Sequence, residues 1–556
     1  MVRIILTAPR SKICFDGALP LPKRETRFSR MEKSRKRLEL LRSQPLGTSA
    51  EFSHLNDDPW VDLKKLFRSR SLPTRYKDFP ESPFMVSTVF EDLKFRWNKK
   101  NISEAVSSTL SASLNNFEDY PWASITVMVP GEADTECARL ARQSGCAILT
   151  SDSDLLVYNL GTHGSVVFLS SIEIDGWGCI DSGESTEIKA MRLCPASLSL
   201  RLGIVNVQHY AYELSKAPHL GQSELIHRSK STSEETSEYR LFTKEYHIDP
   251  FYGPMQHVSR WPAQPLDTRL SEIYWQYVIH GIFMSGEAPH VYLGNLNEDH
   301  AKKCAWEQGR TYRTLGYSIF NAHCSVPRRS TSIYEYVRRG GRIAAVRTAL
   351  GDPEWIAAEM GCVCEHLSMA QAAFDGHSAS PTFWRAFALC EIYNARVMQV
   401  CLPDAGQLRR FFRLGHMEEK LEWSDIHLFA ETRAVLYSLR ILKQLLEASD
   451  YHGGVAAKLR TILSELPSLH ILMRSRHEIT REYSNYIADG FEDRFFCLWG
   501  QMFNAKPCQD QSSLKQLPDG SSELTGCPKS VSIKQGAESY EGHQRSSNIY
   551  EFLNLS

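Results

Sequence analysis

Between Ser124 and Asp154 the chain reads SITVMV, then PGEADTECARLARQSG, then AILTSDSD. The first segment is β-rich, Glu132 to Ser144 has helical spacing, and Ala147 to Thr150 is a short apolar strand ending at Ser151 and Asp152. Strand, helix and strand in that order predict a parallel βαβ unit. Ligands of parallel α/β sheets bind outside the carboxyl ends of the strands, so Asp152 and Asp154 fall where a site is expected. Upstream, Ile13 to Phe15 is a further short strand running into Asp16 and Gly17, and Val166 to Ser170 is one more candidate.

Three separate segments therefore point carboxylates toward what could be one place: Asp16, the helix start with Glu132, Asp134 and Glu136, and the strand end with Asp152 and Asp154. Any one of these has an ordinary explanation. Acidic residues at a helix start complement the macrodipole, and Ser-Asp-Ser-Asp after a strand can be only a polar turn. Their joint occurrence points to a metal site. A pocket of four or five carboxylates is destabilised by repulsion and desolvation unless a cation neutralises it. Oxygen-only ligands favour Mg²⁺ or Mn²⁺, as one or two ions, over Zn²⁺. A pair of such ions suits in-line attack of water on a phosphodiester. Glu136, four residues after Glu132, is equally explained as a solvated residue.

The rest of the chain bounds this reading. With 556 residues at about 150 per domain, two to four domains fit. The 64 Lys and Arg balance 65 Asp and Glu, so any attraction to nucleic acid has to come from a local patch. The run KRETRFSRMEKSRKRLELLR reads as a helix, and Lys23, Arg27 and Arg30 share one of its faces as a cationic stripe. Arg24, Lys33, Arg35, Lys36 and Arg37 read as solvated. A helix is expected near Met85 to Asn98, with polar insertions at 43–83 and 101–116. Beyond Pro195 long amphipathic segments such as PTFWRAFALCEIYNARVMQVC and IHLFAETRAVLYSLRILKQLLEA predict a mainly helical second half with few strands. The Ser/Glu/Thr cluster at 227–240 is the expected linker, and residues 506–556 read as a disordered tail. Fourteen scattered cysteines argue for reduced thiols, and Cys362, Cys364 and His366, lacking a second ligand pair, read as packing rather than zinc. No apolar run reaches a membrane span, and the start is too short and too soon charged for a signal peptide, so an intracellular chain is expected.

FDGALPLPKRETR, GEADTECARLA and TSDSDLLVY resemble the XPG and flap-endonuclease superfamily of structure-specific 5′ nucleases. PLDTRLSEIYWQYV and YLGNLNEDHAKKCAWEQGRTYRTLGYS resemble a fungal form of its Asteroid-like branch. The resemblance implies a PIN-like α/β domain over residues 1–226, a parallel sheet with flanking helices, followed by a helical domain at 241–505. It implies metal ligation by Asp16, Glu132, Asp134, Asp152 and Asp154, with Lys23 and Arg30 reaching the scissile phosphate. It also implies branched or single-stranded DNA, or RNA, as substrate, and a nuclear rather than cytoplasmic protein. Two departures accompany it. Family members carry an amino-terminal strand and helix with a further aspartate, so this chain is expected to be either an amino-terminally truncated form or a reduced relative. They also place a glycine and then an aspartate where Gly203 is followed by Ile204, Val205 and Asn206, and a neutral amide is a poor Mg²⁺ ligand. The other reading is an inactive nuclease fold serving as a nucleic-acid-binding or protein-interaction scaffold through its helical half.

Overall fold

The structure, a computed structural model, describes residues 11–20, 23–43, 82–105, 121–175, 187–232, 236–248, 266–278, 288–374, 379–397, 407, 411, 422–449, 451–474, 479 and 491–504. The expected tail at 506–556 lies outside these residues, as do most of the insertions at 43–83 and 101–116.

β1 (Ile13–Asp16) comes first. α1 (Arg24–Ser43) and α2 (Met85–Glu91) follow, α2 passing into a π-helical turn at Asp92–Arg96. β2 (Thr126–Val129) then pairs back in parallel onto β1, with Asp16 opposite Val129. α3 (Ala133–Ser144) and β3 (Ala147–Thr150) complete the expected strand, helix and strand. Their pairing differs from a single sheet: β3 pairs in parallel with β4 (Ser165–Phe168), while β2 pairs with β1. These strands have only four residues each, so they make short local pairs.

The described residues divide into two compact units, one made of those up to Glu136 together with those at 266–504, the other of those at 137–248. In the second unit β5 (Glu173–Asp175) pairs with β6 (Glu187–Lys189), and β7 (Arg192–Leu193) adds antiparallel to β4. α4 (Pro195–Leu202), α5 (Val207–Lys216), α6 (Gln222–Ser229) and α7 (Ser237–Glu245) follow. Leu155, Leu156, Val166, Tyr210 and Leu225 form the centre of its core. The cluster expected to be a linker at 227–240 thus supplies the end of α6 and the start of α7.

In the first unit, α8 (Thr268–Val278) leads to a sheet the sequence reading missed. β8 (His290–Tyr292) is followed by α9 (Arg310–His323), then by β9 (Ser332–Arg339) and β10 (Arg342–Ala349) as an antiparallel hairpin. The two-residue Gly340–Gly341 loop closes it, with Gly340 at φ 58°, a conformation glycine adopts without a Cβ clash. Ile333, Glu335 and Val337 alternate inward and are buried. Helical periodicity resumes with α10 (Pro353–Ala373), α11 (Pro381–Val397), α12 (Trp423–Ala448), α13 (Gly454–Ser464) and α14 (Phe491–Asn504). α12 is the central helix, opened by a capping box between Glu422 and Asp425 and buried along most of its length. Phe383, Trp384 and Phe387 of α11 are fully enclosed beside it, each worth about 2 to 3 kcal/mol of burial. The mixed α/β architecture with a mainly helical second half is therefore the expected one. Among the described residues no helix is long and apolar enough to cross a membrane.

Candidate functional site

The carboxylates divide between the units: Asp16, Glu132 and Asp134 in the first, Asp152 and Asp154 in the second.

In the first unit the turn after β1 is set by close packing. A Cβ on Gly17 would sit 1.8 Å from the Val129 carbonyl oxygen, so only glycine lets β1 leave the sheet here. The Gly17 and Ala18 amides donate to the Gly131 carbonyl at 3.0 and 3.4 Å, drawing the two strand ends together. Asp16 is thereby placed so that its Oδ1 accepts the Ala133 amide at 2.7 Å. That amide opens α3 and lacks a partner within the helix, so a carboxylate from another segment acts as its cap and meets the positive end of its dipole. Lys23, immediately before α1, places Nζ 2.7 and 2.9 Å from the two oxygens of Glu132. Asp16, Glu132 and Lys23 are thus brought together at the start of α3, where Asp134 occupies the first turn.

The cationic stripe does not hold as a unit. Arg27 Nη1 lies 2.8 Å from Oε2 of Glu272 on α8, and its guanidinium sits 5.5 Å from the centre of the Tyr292 ring. Glu272 is buried, and burial pushes its carboxyl above the usual range, with Arg27 and Arg269 opposing that shift. Arg30 is exposed. Arg35, expected to be solvated, is buried between Glu32 and Glu39 at 2.7 and 2.8 Å. Glu32 in turn accepts the Ile343 amide at 3.0 Å, so this pair anchors α1 on the hairpin. A helical-face count could not show this, because it depends on what packs against α1 from far along the chain.

In the second unit the turn after β3 is ordered by its own side chains. Thr150 Oγ1 accepts the Asp152 amide and Asp152 Oδ1 accepts the Asp154 amide, each at 2.9 Å. This is the polar turn that the sequence allowed, and it leaves both aspartates exposed while Ser153, Leu155 and Leu156 are buried. Burial raises the Tyr246 phenol well above its ordinary value, and the charges of Asp154 and Asp152 add to the shift. Tyr246 therefore borders the two carboxylates, a neighbour that sequence spacing did not suggest.

At 203–206, Gly203 ends α4 in the left-handed region (φ 65°), and Asn206 caps α5 by accepting the His209 amide at 2.9 Å. Asn206 stands where the resemblance expects a ligand aspartate, and here it serves the fold.

By type, the oxygen donors suit a hard divalent ion. By placement, among the described residues no three His, Cys, Asp or Glu side chains are grouped so as to hold one.

Residues 81–350 match a family model described as XPG domain containing. This supports the XPG/PIN-like superfamily. The XPG match takes in Glu132, Asp134, Asp152 and Asp154, and ends one residue beyond β10, so it includes the hairpin. It begins after Asp16, Lys23 and Arg30. No curated protein and no solved structure matches the chain. An XPG-like domain carries with it a nuclease-like fold, a general use of divalent metals and an association with nucleic acid.

Proposed function

We propose that this chain is an Asteroid-like, structure-specific nuclease of the cell nucleus that hydrolyses phosphodiesters of branched or single-stranded nucleic acid with Mg²⁺ or Mn²⁺. The observation that carries this reading is the meeting of Asp16 with the start of α3 beside Glu132, two segments of the acidic pattern on which the resemblance rests, separated by more than a hundred residues. The family resemblance offers Asp16, Glu132 and Asp134 in the first unit, and Asp152 and Asp154 in the second, as ligands for one or two such ions. A bound divalent ion would supply Lewis-acid stabilisation and a more acidic water. Lys23 is the cation that would turn from Glu132 to an incoming phosphate, and exposed Arg30 would meet the strand.

A second reading, an inactive fold that binds nucleic acid or protein, is favoured by the Lys23–Glu132 ion pair and by the capping role of Asn206. The two separate in one assay. A fluorescent 5′-flap DNA, its single-stranded counterpart and an RNA version are incubated with the protein in EDTA, Mg²⁺ or Mn²⁺, and binding and cleavage are read in parallel. The nuclease reading expects cleavage only with metal, lost in Asp16→Ala and Asp152→Ala while binding persists. Binding without cleavage under every metal condition would establish the scaffold, and cleavage surviving Asp152→Ala would remove the site from these residues.

A further inference from the structure

Residues 359–366 of α10 read EMGCVCEH. Two residues apart on a helix, Cys362 and Cys364 face nearly opposite ways, whereas Glu359, Cys362 and His366, at spacings of three and four, share one stripe. Cys364 behaves as packing: it is buried, and its thiol donates to the Val455 carbonyl at 3.6 Å, with Lys458 on that side. The other stripe does not. Cys362 Sγ lies 3.9 Å from His366 Nε2, and His366 Nδ1 lies 3.5 Å from Oε1 of Glu391 on α11. Tyr312 of α9 hydrogen-bonds Glu391 through its phenol.

Thiol, imidazole and carboxylate are therefore in series, one on each ring nitrogen, with the carboxylate held by a buried tyrosine. The hydrogen bonds to Cys362 and Glu391 push the His366 imidazole up to about 10 in spite of its burial, so it is protonated at neutral pH. Burial draws the Glu359 carboxyl toward its neutral form, leaving Glu391 as the main counter-charge. Phe495 and Leu498 of α14 join the apolar packing around these helices. Cys362 is half-buried and the His366 side chain is 24% exposed, so a small solute has access. A thiol beside an imidazolium is the arrangement that makes cysteine nucleophilic.

We propose that Cys362 is a nucleophilic thiol and the site at which hydroperoxides modify this protein, with His366 as its proton partner and Glu391 as the residue that positions the imidazole. The sulfur attacks one peroxide oxygen. An S–O bond forms as the O–O bond breaks, and the departing oxyanion takes the proton held by His366. Sulfur loses two electrons and the peroxide gains them, so the products are a sulfenic acid at Cys362 and water or an alcohol.

The test uses the full chain and hydrogen peroxide. Initial rates of thiol loss are read at each cysteine by isotope-coded alkylation and mass spectrometry at pH 7, with exposed Cys146 and Cys497 as internal references. Each thiol is compared with itself between wild type and variant, so partial burial of Cys362 does not enter. Loss at Cys362 is expected to slow at least about tenfold in His366→Gln, which removes the proton donor to the departing oxyanion, and in Glu391→Gln, with Glu391→Asp keeping most of the rate and Cys146 and Cys497 unchanged in all three. A wild-type Cys362 inert to peroxide, or a Cys362 rate unchanged in folded His366→Gln or Glu391→Gln protein, would overturn the proposal.

Discussion

Lys23→Met isolates the ion pair that now occupies Glu132. Lys23 Nζ is 2.7 Å from one carboxylate oxygen and 2.9 Å from the other, and the side chains are 36% and 16% exposed. Solvent screens a pair this open, which places it near the upper end of the surface range, about 1 kcal/mol and no more. A divalent ion binding Glu132 has to displace the ammonium. Removing the ammonium while keeping the apolar stem should therefore tighten metal binding by about that energy, roughly fivefold in Kd. Mn²⁺ titration followed by electron paramagnetic resonance measures this in the wild type, Lys23→Met and Glu132→Gln, with circular dichroism to confirm the fold. Glu132→Gln should weaken binding, and the gain from Lys23→Met should shrink as ionic strength rises. A folded Lys23→Met protein that binds Mn²⁺ no better than the wild type would refute Glu132 as a ligand in competition with Lys23.

The hairpin is tied to the helical core by a fully buried pair: Arg313 Nε and Nη2 reach the two oxygens of Glu335 at 2.7 and 3.0 Å, with Ser438, Trp306 and Tyr317 completing the bonds. Glu335→Leu should destabilise by about 3 to 5 kcal/mol by stranding the guanidinium, and Arg313→Met with Glu335→Leu should recover most of that in urea denaturation; a double variant no better than the single contradicts it. At the α5 cap, Asn206→Ala should cost about 1 kcal/mol while Asn206→Asp stays within about 0.5 kcal/mol, because both Asn and Asp accept the His209 amide; equal melting temperatures for Ala and Asp would remove the capping role. Burial, with Arg338 and Arg35 nearby, lowers the His300 imidazole to about 4. The unfolded chain takes up this proton near 6.5 and the folded chain only near 4, so His300 makes stability fall as pH drops through that window. His300→Gln should flatten the decline in denaturation midpoints between pH 7 and 4.5, and an unchanged decline would place its cause elsewhere.

Period and punctuation made most elements legible in the chain. β3 begins and ends at the residues its apolar run marks, and α11 and α12 follow their three-and-four spacing. The hairpin carried an equally local signal, alternation around Gly340–Gly341, but it lay within a region read through its helices. The acidic pattern was legible for the same reason, since a carboxylate after a strand or at a helix start is a property of a few consecutive residues.

Partners were not legible. That Arg27 faces Glu272, that Glu32 beside buried Arg35 holds the Ile343 amide, and that Asp16 caps α3 depend on segments brought together from far along the chain. The Cys362 stripe shows both halves of the point: spacing put Cys362 with His366, but only the packing of α11 against α10 supplied Glu391. Backbone periodicity is a short-range consequence of dihedral geometry and hydrophobic burial, so it can be read from neighbours in sequence. The charge and protonation of a side chain depend on what lies within a few ångströms in space, and that is settled only when the chain has folded.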